Sequence, residues 1–175
     1  MKKIALISDT HSYLGKDVMP FLEAADEIWH GGDIGDPKVL DKLEAIKPTR
    51  SVYGNIDDKD LRLRIPLNEI WECEGMKVFM THIGGYPSRY TKRVSKIIRE
   101  EKPNLYICGH SHILKVMPDK INGLLHMNPG ACGVAGFHKF RTILTFGIDN
   151  GKIESLNAVE LGLRSNINLQ REDKL

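Results

Sequence analysis

The sequence predicts an α/β protein in which two mixed β-sheets pack together with helices outside. Three observations lead there. The first third alternates apolar runs with helical patterns in a βαβαβ order, which implies parallel pairing. The later part is richer in hairpin signals. Five of the apolar runs end in polar residues with oxygen or imidazole donors, as loops leaving strand ends would.

Each element has its own warrant. Residues 4–7 (Ile-Ala-Leu-Ile) form a continuous apolar run, the pattern of a strand buried on both faces. Residues 16–25 can be helical, with Pro20 disturbing the first turn. Residues 27–30 read as a short strand. Asp36 then caps a helix with Pro37 at its first position, and Val39, Leu40, Leu43 and Ile46 supply the buried stripe. A third strand is predicted over residues 50–53, ending at Gly54. Glu74-Gly75 sits between strands at 69–73 and 76–81, a hairpin pattern. Residues 90–101 form a helix with Val94, Ile97 and Ile98 inward, and 105–108 a buried strand. Strand-like segments follow at 114–117, 124–126, 142–148 and 152–159, with Asn150-Gly151 as the turn between the last two.

A chain of 175 residues suits one domain, taken as residues 1–165, with a polar tail over 166–175. The net charge of +2 is too small to argue for nucleic acid or a membrane surface. No apolar run is long enough to span a bilayer, and the first run is too short for a signal-peptide core. Cys73, Cys108 and Cys132 are odd in number and lack CxxC spacing, which points to reduced thiols in a cytoplasmic protein. Arg89, Lys92, Arg93, Lys96 and Arg99 recur at helical spacing. Without interleaved aromatics they read as a solvated face, not a nucleic-acid surface.

The five donor runs are Asp9-Thr10-His11, Gly32-Asp33, Gly54-Asn55-Ile56-Asp57, Thr81-His82 and Gly109-His110-Ser111-His112. Together they offer the carboxylates of Asp9 and Asp33, the amide oxygen of Asn55 and the imidazoles of His11, His82, His110 and His112. One tetrahedral zinc takes about four ligands, so the set is too large for a single ion. It suffices for two ions sharing one carboxylate. Mixed nitrogen and oxygen donors without thiolate suit Mn, Fe, Co, Ni or Zn better than Mg or Ca.

This order of motifs resembles the calcineurin-like metallophosphoesterases, and its Gly-Asn-x-Asp wording is most similar to their small bacterial and archaeal phosphodiesterase branch. The resemblance runs from Ile4 to about Val159. It implies a four-layer α/β/β/α sandwich and two adjacent divalent metal ions, with manganese the first choice. Asp9, His11 and His112 would hold one ion, Asn55, His82 and His110 the other, and Asp33 would bridge them. Asp33, Asn55 and His82 are accordingly the expected catalytic residues. The implied reaction is hydrolysis of a phosphate ester by in-line attack of a hydroxide shared between the ions. A small phosphate-ester molecule is the expected partner, and further copies of the chain are compatible with it. The rival is a protein-binding scaffold like the retromer subunit that this branch also resembles, and behind it a nuclease.

Two departures from the family pattern stand out. Many members place a His after the Asn, usually taken to protonate the leaving alkoxide; here that position is Ile56. Many read His-Gly-His where this chain has His82-Ile83-Gly84. Beyond the donors, His30 is a candidate supporting group and Asp57 a candidate for holding its own loop or orienting a ligand. His138 and Arg141 follow a glycine-rich loop and are candidates for touching substrate, with simple loop roles favoured. His126 reads as packed.

Overall fold

The computed structural model describes residues 1–165, so the polar tail lies outside the described residues. Elements run in the order β1 (Lys2–Ile7), α1 (Met19–Ala24), β2 (Glu27–His30), α2 (Pro37–Ile46), β3 (Thr49–Ser51), α3 (Lys59–Arg64) and β4 (Asn68–Cys73). There follow β5 (Met76–Thr81), α4 (Lys92–Glu101), β6 (Leu105–Ile107), β7 (Leu114–Asp119), β8 (Leu124–Pro129), β9 (Phe140–Asp149) and β10 (Lys152–Leu163). The strands form two five-stranded sheets, β10-β9-β1-β2-β3 and β4-β5-β6-β8-β7. Both are mixed. β1, β2 and β3 are parallel, while β9 runs antiparallel to β1 and β10. β5, β6 and β8 are parallel, edged by antiparallel β4 and β7.

Side-chain alternation along the strands creates three apolar layers. On β1, Ile4 and Leu6 face the second sheet and meet Trp29, Val78, Met80, Leu105, Ile107 and Phe146. Ala5 and Ile7 face outward onto Leu22 of α1 and Val39, Leu40 and Leu43 of α2. On the far side, Val94 and Ile98 of α4 pack on Phe79 and Tyr106. The product is an α/β/β/α sandwich, as the sequence predicts. Each fully buried leucine of these layers contributes ~1.5–3 kcal/mol.

Local chemistry sets the element ends. Asp36 accepts from the Lys38 N–H and Thr91 from the Val94 N–H, capping α2 and α4. Asn150 and Gly151 both have positive φ, 47° and 75°, the geometry of a tight hairpin between twisted strands. Three expectations need correction. α1 begins at Met19, with Pro20 inside a first turn that needs no N–H there. β3 stops at Ser51, not 53, because the Tyr53 N–H turns away to the carbonyl of Pro66. Helix α3 has no counterpart in the sequence reading; Asp58 caps it and Leu61 is its one buried residue.

Cys73, Cys108 and Cys132 are free and buried, and burial pushes the thiols of Cys108 and Cys132 up to about 12. Among the described residues no helix is long and apolar enough to cross a membrane. His126 is buried against Tyr106, its Nδ1 without a hydrogen-bond partner, and burial lowers its pKa to about 4. The unfolded chain, near 6.5, therefore binds this proton more readily than the folded one. Its stabilising share is full above pH ~6.5 and is lost as pH falls toward ~4, amounting to ~3 kcal/mol. Urea unfolding from pH 7 to 4 should show a decline that His126→Gln reduces; an equal decline in both proteins would contradict this assignment.

Candidate metal centre

The five donor runs leave the C-terminal ends of β1, β2, β3, β5 and β6, all strands that run parallel within their sheets. The sandwich gathers these ends. The loop after β1 lies along the loop after β2, with the N–H groups of Asp9, His11 and Ser12 donating to the carbonyls of Gly32, Asp33 and Ile34 at 2.8–3.0 Å. The loop after β6 joins from the other sheet, its His110 N–H donating to Asp9 Oδ2 at 3.1 Å.

Two groups of donors result. The ligand atoms of Asp9, His11 and His112 lie within 4.8 Å of one another, and so do those of Asp33, His82 and His110. Asp33 faces both groups: Oδ2 is 3.5 Å from His11 Nε2, and Oδ1 is 3.2 Å from His82 Nε2. Asp9 Oδ1 is 3.2 Å from His112 Nε2 and 4.0 Å from His82 Nε2. Asn55 stands at the exposed mouth, where it and Asp33 line a cleft of about 470 Å³ with Ile56, His110, His112 and Phe137.

The donors are held by groups behind them. Ser8 Oγ–H donates to Asp9 Oδ2 at 2.6 Å, leaving Oδ1 free to face inward. The carbonyl of Gly31 can only accept, so the contact at 2.8 Å fixes the proton of His82 on Nδ1 and leaves Nε2 as the lone pair. A longer chain fixes His112. The Gly133 carbonyl takes the Nε2 proton of His138 at 3.0 Å, so His138 Nδ1 accepts from His112 Nδ1, also at 3.0 Å. His112 Nε2 is thereby left unprotonated and directed at Asp9. His138 thus supports a donor, which its place in a loop-like stretch of sequence does not disclose.

His30 ties loops in the same way. The Gly32 N–H donates to its Nδ1 at 3.1 Å, so its Nε2–H donates to Thr10 Oγ1 at 2.9 Å, and the Thr10 hydroxyl donates to the Ile34 carbonyl. That network needs a neutral ring, and burial lowers His30 to about 4. Asp57 accepts from the N–H groups of Gly35 and Gly54, joining the loops after β2 and β3. Arg141 turns into the fold instead. It is buried, forks onto Asp17 at 2.7 and 3.1 Å and donates to the Cys132 carbonyl. Of the basic stripe, Arg93 points inward to Asn68, Thr81 and Ile83, while Lys96 pairs with Glu100 along the helix.

The glycines ahead of the donors make room for donors from other loops. A Cβ on Gly54 would collide with Asp33, and one on Gly32 would strike the ring of His82 at 2.6–2.7 Å. Each glycine is the wall against which another loop's donor rests. The donors themselves are strained. Asp9, His11, Asp33, His110 and His112 all have φ between 46° and 68°, left-handed backbone that non-glycine residues adopt at a cost of about 1–3 kcal/mol each.

The donor chemistry fits divalent cations. Asp9, Asp33 and His82 are 0%, 2% and 1% exposed, and the charged contacts of both carboxylates are to imidazoles. Burying carboxylates without strong partners is costly. Asp9 Oδ1, His11 Nε2 and His82 Nε2 are buried without any hydrogen-bond partner, and they belong to the two groups. Positive charge is favoured between them. Burial works against a charged His82, yet its contact with Asp33 and the charges of Asp9 and Asp33 outweigh burial and hold its pKa above the ordinary value. Asp33 correspondingly lies below the usual carboxylate range, burial being outweighed by His82 and by the Ile56 N–H.

The α/β/β/α sandwich thus has two sheets that deliver carboxylates and imidazoles to a common end, a donor set able to hold metal ions. Residues 1–151 match the family model described as the calcineurin-like phosphoesterase superfamily domain, and the chain belongs to that family. A probable metallophosphoesterase of Methanothermobacter thermautotrophicus is 26% identical over 157 residues, covering 87% of this chain and 89% of the relative. Two solved structures share the fold. Vps29 of Entamoeba histolytica, described as complexed with Zn2+, superposes with a TM-score of 0.69 at 17% identity, covering 91% of this chain and 99% of its own. A protein described as a novel archaeal phosphodiesterase gives 0.68 at 20% identity, covering 90% and 99%.

Proposed function

We propose that the protein is a phosphodiesterase working with two divalent metal ions, manganese first among Mn, Fe, Co, Ni and Zn. One observation carries the reading: the two oxygens of Asp33 face different donor groups. Asp9, His11 and His112 would hold one ion, Asn55, His82 and His110 the other, with Asp33 shared. Such ions supply positive charge for a phosphate and lower the pKa of water toward neutrality. The chain's own residues do the rest. Gly31 and His138 aim the imidazoles of His82 and His112, and Ser8 with the His110 N–H aims Asp9. Asn55, at the mouth, would donate its amide to a non-bridging phosphate oxygen as charge shifts there. The likeness to a protein described as an archaeal phosphodiesterase supports a diester substrate, and a cytoplasmic site of action is part of the same proposal. Hydrolysis of bis-p-nitrophenyl phosphate with each metal in turn is the direct test. Absence of turnover with all of them would leave the scaffold reading, which the likeness to Vps29 favours.

Ile56 lines the cleft beside Asn55 and is 44% exposed, so the position usually given to a general acid faces the reaction space. It cannot donate a proton. Phenolic esters, which depart without one, should be better substrates than alkyl esters. Ile56→His should raise kcat on alkyl esters by up to ~10² and change phenolic esters little. An unaltered ratio between the two would remove the position from the mechanism.

His138→Ala frees the His112 tautomer and should weaken metal affinity by about 10–100-fold. His138→Gln, able to accept from His112 and donate to Gly133, should recover most of it. Titration calorimetry with Mn2+ reads this; equal affinities in all three proteins would mean that His138 has no orienting role.

A further inference from the structure

Beside the metal centre lies a second cleft, of about 330 Å³, which shares Asn55 and His82 with it. Arg62 and Arg93 both line this cleft. Their hydrogen bonds go to neutral acceptors. Arg62 donates through Nε to the Asp57 carbonyl at 2.7 Å and through Nη2 to the carbonyls of Asn55 and Gly54 at 3.2 and 3.5 Å. Arg93 donates to the Asn68 amide oxygen, to Thr81 Oγ1 at 3.2 Å and to the Ile83 carbonyl at 2.8 Å. Arg50, Arg64 and Arg141 each pair with carboxylates, whereas Arg62 and Arg93 pair with none among the described residues.

Two guanidinium charges are therefore fixed in place and left without a counter-charge, beside one cavity. The bonds that anchor them leave Arg62 Nη1 and Arg93 Nε outside this network. Their side-chain entropy is largely spent by folding, which favours ligand capture. Planar guanidinium groups match carboxylate and phosphate oxygens. The other walls include the apolar side chains of Tyr53, whose ring lies 5.0 Å from the Arg62 guanidinium carbon, Leu67 and Ile83, together with Thr91.

We infer that this cleft is a second anion subsite, and that the substrate is a phosphate ester whose ester group carries a further oxyanion, carboxylate or phosphate, across an apolar spacer. This rests on the phosphoesterase reading of the adjoining centre. The reacting phosphate lies at the donors, the spacer along Tyr53, Leu67 and Ile83, and the second anion between Arg62 and Arg93.

The test uses aryl phosphonates, which are not hydrolysed, titrated by calorimetry into the manganese-loaded protein. Phenylphosphonate carries one anionic group. Its 3- and 4-carboxy derivatives and the corresponding phenylenediphosphonates carry two, and the carbamoyl derivatives are uncharged isosteres of the carboxylates. A two-anion ligand should bind about tenfold tighter than its carbamoyl or unsubstituted counterpart. The better of carboxylate and phosphonate identifies the group. In Arg62→Gln and Arg93→Gln the ratio should collapse toward one, a readout independent of any general weakening. Equal affinity of charged and carbamoyl ligands in the unmodified protein would overturn the inference, and needs no variant to fold. Turnover of bis-p-nitrophenyl phosphate judges the reading beneath it separately. Turnover without a charge preference removes the subsite alone; a charge preference without turnover removes the phosphodiesterase and supports an anion-binding cleft.

Discussion

Asp33→Asn should reduce turnover of bis-p-nitrophenyl phosphate at least ~100-fold, since even groups that only support metal ligands are worth about 10–100-fold. The substitution isolates charge from shape. Asparagine has the size of aspartate and is among the few residues that accept left-handed backbone, here φ 55°. Its amide oxygen can still accept from the Ile56 N–H, as Asp33 Oδ1 does at 3.1 Å. One of the two oxygens becomes an NH2, however, so one donor group loses its share of the carboxylate. Elemental analysis should then find fewer than two ions per chain. The metal-free variant should melt lower than the metal-free parent, because the contacts that hold Asp33 below the usual carboxylate range stabilise the fold and His82 loses a charged partner. Near-normal turnover with two ions bound would dismiss Asp33 as the shared ligand.

Gly54→Ala should be nearly as damaging to activity, although it removes no donor. The added methyl would overlap both the carboxylate and the backbone nitrogen of Asp33, so rotating the side chain does not relieve it. Gly54 is not among the residues with positive φ, so alanine meets no backbone objection there and the collision is the whole effect. Overpacking of this kind costs about 1–3 kcal/mol in stability. The larger consequence is displacement of Asp33 by a fraction of an ångström or more, which separates it from one donor group. Urea unfolding with manganese calorimetry checks both parts. A variant that binds two ions and turns over normally would show that the loop after β3 is not the backing of Asp33.

Much of this centre is legible in the sequence because metal chemistry constrains residue type. Carboxylates and imidazoles after five apolar runs need no coordinates to be recognised, and alternation within the runs gives the layers. What the sequence hides is set by direction. Asp33 facing two ways depends on where His11 and His82 arrive from different sheets. His138 acts through a tautomer imposed by one carbonyl, which no spacing encodes. The Gly-Asp and Gly-Asn pairs do not disclose that the space beside each glycine is filled by a donor from another loop. Helix α3 escapes notice because its apolar signal is little more than Leu61, and β3 ends early because Tyr53 bonds across to Pro66. Arg141 resembles a ligand-binding arginine until Asp17, distant in sequence, is found beside it.

The left-handed backbone at Asp9, His11, Asp33, His110 and His112 has a corollary. Glycine at any of these sites would relax the main chain while removing a proposed ligand, so backbone ease and the proposed chemistry pull in opposite directions.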